Sequence, residues 1–111
     1  MRIPICAADL PLGFNKIAKY IGRHWPGGPL KLSQSRERLA HIMGYSSAYA
    51  VFRETVPEDA IKDVEWEIIF DQALSRVVEL WKVDPTEFAK LMRRVPWHEI
   101  KAGRMGVNGN R

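Results

Sequence analysis

The chain has 111 residues, 46% hydrophobic and 27% charged, with seven prolines and eight glycines, a composition that fits about one soluble globular domain and excludes collagen-like, coiled-coil-only and wholly disordered classes. No apolar run approaches the roughly 20 residues that a membrane-spanning helix needs. The formal net charge of +4 is laid out in blocks: residues 1–53 hold 8 basic and 2 acidic side chains, 54–87 hold 3 and 10, and 88–111 hold 6 and 1.

Two arrangements satisfy that layout. Acidic and basic helices face one another, or the two basic ends converge on one surface that attracts phosphate. Cys6 is the single cysteine, so an internal disulfide is unavailable, and it has no companion at metal-ligand spacing. The first eight residues are too short and too proline-broken for the apolar part of a signal peptide, and a cytoplasmic location is expected.

In chain order, Asp9 is positioned as an N-cap, and Leu10, Phe14, Ile17, Ile21 and Trp25 then recur at steps of three and four, one apolar stripe on one helix. Lys16, Lys19 and Arg23 form its opposite, basic face. Pro26-Gly27-Gly28-Pro29 stops it. Ser33 is read as the opening of a second helix with Leu39, Ile42 and Met43 inward, and Gly44 as its left-handed C′ residue. Ser46 or Ser47 caps a short third helix carrying Ala50, Val51 and Phe52, which must end before Pro57. Thr55 and Glu58 are spaced as a capping box that starts a new helical turn.

Residues 60–83 contain neither glycine nor proline, yet one long helix is out of phase with its own apolar residues. Trp66, Phe70, Ala73, Leu74, Val77 and Trp81 share one face, while Ile61 and Val64 point elsewhere. A break is therefore placed near Asp63, which caps the longer helix. Ile68 is left on its polar side, with Leu80 on the flank, either beneath the turn carrying Ile61 and Val64 or facing a second copy of the chain. Asp84-Pro85-Thr86-Glu87 is an N-cap aspartate followed by proline at the first helical position, and it opens a helix with Phe88, Leu91 and Met92 inward and Lys90, Arg93 and Arg94 outward. Trp97 and Ile100 fold back on the core, and residues 103–111, rich in glycine and asparagine, are read as a flexible basic tail. The expected architecture is all-α: one domain over residues 1–102 with five or six helices.

Residues 35–53 resemble a helix-turn-helix, with Ala40, Gly44 and Ala50 at the positions where that motif needs a small residue, a left-handed turn and an apolar lock. The resemblance implies that Ser46, Ser47, Tyr49 and Arg53 face a major groove, with Arg36 and Arg38 flanking for phosphate. Leu32, Ser33, Ser35, Leu39, Ala40, His41, Gly44 and Tyr45 are also similar to a short helical module of small bacterial and plasmid-borne proteins, some labelled as glyoxalase-superfamily members. Tyr49 stands where that module carries tryptophan. This second resemblance implies a bacterial or mobile-element setting and brings no metal site with it.

Against base readout, the third helix offers one arginine and neither asparagine nor glutamine. His24, His41 and His98 share no helix face with another metal ligand. Asp59, Asp63, Glu67 and Asp71 recur every four residues without the loop that a calcium site requires. No phosphate-binding, nucleophile-elbow or dinucleotide motif is present, and the expectation is a non-enzyme without cofactor or metal. Trp25 and Trp97, at element ends, are candidate interface residues beside Ile68. The sequence therefore points to a small nucleic-acid-associated regulator, monomeric or dimeric, using Lys16, Lys19, Arg23, Arg36, Arg38, Ser46, Ser47, Tyr49, Arg53, Arg93 and Arg94. The alternative is a protein-binding module or inhibitor aimed at an acidic or nucleic-acid-binding partner.

Overall fold

The computed structural model describes residues 2–62 and 64–106, and all regular structure among them is helical. The α-helices are α1 (Leu12–Arg23), α2 (Leu32–Ile42), α3 (Ala48–Arg53), α4 (Trp66–Trp81), α5 (Pro85–Arg94) and α6 (Lys101–Gly106), with single 3-10 turns at Ala7–Asp9, Glu58–Ala60 and Trp97–Glu99. No helix is long and apolar enough to cross a membrane among these residues.

The stripe read on α1 is its buried face: Phe14, Ile17 and Ile21 are wholly enclosed, and Trp25, just beyond the helix, is nearly so. Asp9 does not cap α1, which begins only at Leu12 after Pro11. It is itself 2% exposed. Its carboxylate accepts hydrogen bonds from the Cys6 amide at 3.2 Å, the Cys6 thiol at 3.4 Å and the Lys101 amide at 2.9 Å. Three donors converge on it there, more than the single amide an N-cap satisfies. Of the extended residues before it, Ile3, Ile5 and Cys6 are buried in the core.

Helix α2 starts one residue before Ser33, which is exposed inside the helix. Gln34 makes the opening contact instead, its Oε1 accepting from the Lys31 amide at 3.2 Å. At the other end Gly44 has φ +96°. Its amide donates to the His41 carbonyl, and the Tyr45 amide to that of Ala40, the paired pattern by which a left-handed C′ residue closes a helix. Arg76 of α4 reaches the same end, donating to the His41 carbonyl as well at 2.8 Å and to that of Ile42 at 3.3 Å, a cation at the negative end of the helix. Ser47 Oγ accepts from the Ala50 amide at 3.0 Å and so caps α3 as read. Glu37 also ties α3 to α2 by accepting from the Ala48 amide.

Thr55 and Glu58 form no capping box. Pro57 precedes a 3-10 turn without a side-chain cap, and Glu58 pairs with Lys101 at 3.4 Å. The proposed cap Asp63 lies outside the described residues, and α4 begins at Trp66. Its buried line runs through Trp66, Ile69, Ala73 and Val77, with Phe70, Leu74 and Trp81 half-buried beside it. Helix α5 follows its sequence signal closely: Asp84 Oδ1 accepts from the Glu87 amide at 3.0 Å, and Phe88, Leu91 and Met92 are buried.

The expected tail is corrected at its start. Residues 103–106 continue α6, because Gly103 packs on the Trp97 carbonyl where any Cβ would collide with backbone. Asp9 places an anion at the first amide of that helix. Residues 107–111 lie outside the described part.

Two buried acids of low intrinsic strength give the fold an alkaline limit. Burial raises the Cys6 thiol above its ordinary 9.0, helped by the Asp9 carboxylate, and burial likewise raises the Tyr45 phenol above 10.0. Tyr45 donates to the Ile3 carbonyl at 2.9 Å. A raised folded value means that the neutral group's contribution is complete below the ordinary value and disappears as pH rises through the folded one. The urea midpoint is therefore expected to decline above pH 9.0, and Tyr45→Phe is expected to remove part of that decline. A midpoint constant to about pH 11 contradicts this account.

Candidate functional site

The basic residues of α1 and α2 meet along the seam between the two helices. Lys16, Lys19 and Arg23 are exposed on α1, as the helical period requires. Lys16 approaches Glu99 at 3.7 Å. Lys19 and Arg23 make no ion pair among the described residues, and they border a trough of about 280 Å³ with Leu30, Leu32 and Ser35. The trough thus joins the last turn of α1 to the first turn of α2. Arg36 belongs to the same seam, its Nε donating to Asn15 Oδ1 of α1 at 3.1 Å. Lys31, exposed at the start of α2 between two trough residues, adds a cation that sequence reasoning passed over.

Arg38 is separated from Arg36. Two residues apart on a helix is about 200°, so the pair point to opposite flanks of α2. Arg38 lies over the rings of Trp25 and Trp81, at 4.8 and 4.7 Å from their centroids. Arg93 departs as well: it borders a different cavity, about 370 Å³ between α4 and α5, whose wall includes Glu67 and Asp71. Arg94 is exposed on α5. The acidic row read as Asp59 to Asp71 is broken, since Asp59 sits in the 3-10 turn before α4 and Asp63 lies outside the described residues.

On α3 the outward side chains are Tyr49, 69% exposed, Phe52, 42% exposed, and Arg53, whose guanidinium lies 5.4 Å from the Tyr49 ring centre. Phe52 touches Phe14 edge-on at 5.9 Å, fixing this face to the start of α1. Ser46 is exposed, whereas the Ser47 hydroxyl is engaged as the cap.

Two interface candidates are corrected. Trp25 packs against Trp81 and Phe88, and Trp97 stacks with Trp66 and Phe70 while donating Nε1 to the Met92 carbonyl at 3.0 Å. Both are buried in the core, where a large amphipathic ring removes most apolar area from water. Ile68 remains 42% exposed on α4; Ile61 is drawn into the core instead of covering it.

No protein-family model, curated protein or solved structure matches the chain.

Proposed function

We propose that this chain is a small cytoplasmic nucleic-acid-associated regulator that holds phosphate backbone along the seam of α1 and α2. The observation that carries the reading is the Lys19–Arg23 trough. Two cations with no ion-pair partner among the described residues border a concavity at the first turn of α2, the end of the helix that carries partial positive charge. Lys16 and Arg36 extend the same strip. Arginine and lysine set at helical spacing match phosphates through charge and demand no particular base.

Filter binding with generic duplex DNA across a salt series tests the reading. Four phosphate contacts predict a slope of log K against log salt near −3.6, or about 10²-fold weaker binding at 200 mM than at 50 mM. Reversing Lys19 and Arg23 together to glutamate is expected to reduce that slope by about 2 and to leave the melting temperature unchanged, since both side chains are exposed. Absence of binding at low salt removes the proposal, as does binding that survives the double reversal.

A second reading rests on α3. Tyr49, Phe52 and Arg53 are exposed together, and tyrosine and arginine are the side chains that dominate protein-binding hot spots. The reading makes α3 a contact for an acidic or nucleic-acid-binding protein. It predicts that Tyr49→Ala with Phe52→Ala leaves duplex affinity unchanged.

A further inference from the structure

Arg38 is half-buried, yet it makes no hydrogen bond or ion pair among the described residues. Its guanidinium occupies the corner between the Trp25 and Trp81 rings, which meet at 73°. Contact with ring faces leaves the five N–H donors, which lie in the guanidinium plane, without acceptors. Partial removal from water, with no ion-pair partner among the described residues, lowers the pKa of the group. Arg38 also borders a groove of about 460 Å³ between α2 and the last turn of α4, with Ser33 and His41 on one side and Leu80 and Trp81 on the other. Leu80 is 58% exposed.

We propose that this groove binds a small monocarboxylate carried on a flat apolar body, with the carboxylate in the fork of Arg38 and the body against Leu80. The guanidinium edge matches a carboxylate bidentately. The groove's lining sets two charged groups, Arg38 and Glu37, beside the apolar surface of Leu80 and Trp81. A single negative charge is preferred over a doubly charged phosphate because Glu37 borders the same groove, so the charges of Arg38 and Glu37 cancel and leave no net cation to offset a dianion's greater cost of leaving water. Both Glu37 oxygens are held by the Ala48 amide, so its charge stays close by and repels a dianion more than a monoanion. The groove shares no lining residue with the Lys19–Arg23 trough, and the proposal does not depend on nucleic-acid binding.

The test is titration of the ¹⁵N-labelled full chain with benzoate, read at the Arg38 Nε–H and the Trp25 and Trp81 indole N–H resonances. Saturable shifts confined to these groups are expected, with a Kd on the order of 1 mM, what a fragment of about ten heavy atoms reaches. Phenyl phosphate is expected to bind about tenfold more weakly, and benzyl alcohol, with the same ring and no charge, to leave these resonances unmoved. Leu80→Glu adds a carboxylate at an exposed rim position without touching the core, and is expected to weaken benzoate about tenfold with the melting temperature kept. Arg38→Gln is expected to abolish binding, and Arg38→Lys, which keeps the charge and loses the fork, to weaken it. The proposal is overturned if benzoate leaves the resonances unmoved, if benzyl alcohol shifts them equally, or if Leu80→Glu binds benzoate like the wild type. Equal or tighter binding of phenyl phosphate overturns the choice of a carboxylate.

Discussion

Asp9→Ala is expected to remove about 2–4 kcal/mol of folding stability, the largest loss predicted for a single polar substitution in this chain. The carboxylate is buried and accepts from three donors: two in its own turn, and one 92 positions away at the start of α6. Alanine leaves the Cys6 and Lys101 amides without their acceptor, and a buried unpaired amide costs more than the hydrogen bond it formerly made. Asparagine is a poor substitute, because its NH₂ group is a donor and faces donors. Urea denaturation of wild type, Asp9→Ala and Asp9→Asn measures the effect, and both variants are expected to unfold earlier. Local consequences give an independent check. The Lys101 amide is expected to exchange faster, and the Cys6 thiol, freed of a neighbouring negative charge, to react faster with a disulfide reagent. A variant as stable as wild type removes the argument that Asp9 anchors α6.

Gly44→Val is the second large effect, expected at about 2–3 kcal/mol and a fall in melting temperature of roughly 10 °C. At φ +96° an L-residue brings Cβ against its own carbonyl, and branching at Cβ worsens the clash. The consequence extends beyond the turn. The Tyr45 amide closes α2, and the Tyr45 hydroxyl holds the Ile3 carbonyl. The Met43 carbonyl accepts from the Ile3 amide. Displacing Gly44 therefore loosens the N-terminal segment together with the hairpin. Gly44→Asn, which tolerates the left-handed region, is expected to lose about half as much. If valine and asparagine are equally harmless, the turn is not the constraint described.

What could be read in advance followed from interactions a few residues long. The Ser47 cap, Gly44 at the end of α2 and Asp84-Pro85 at the start of α5 act on their own turn of backbone before any tertiary contact forms, so the letters carry them directly. The α1 stripe takes its energy from burial in the core, but its helical period lies within one short segment and is legible there. The opposite orientation of Arg36 and Arg38 was legible in the same way, from the helical period. Grouping both as phosphate contacts overlooked it.

The remainder depended on partners that sequence proximity does not supply. Lys82 closes α4 at φ 55° with no glycine or asparagine to announce it. Trp25 and Trp97 stand at element ends, where their letters fit a surface as well as a core, and only the approach of α4 and α5 buries them. The charge blocks resolved partly in each of the two directions the sequence left open. Among the described residues Lys19 and Arg23 have no ion-pair partner on the α1–α2 seam, while Arg93 lies across from Glu67 and Asp71. The sequence by itself determined α1 to α5 and most of their inward faces, because periodicity and capping are local. The tertiary structure alone decided that Asp9 serves α6, that Gly103 belongs to a helix, and that Arg38 rests on two indoles, because each is a contact between segments brought together only when the core closes.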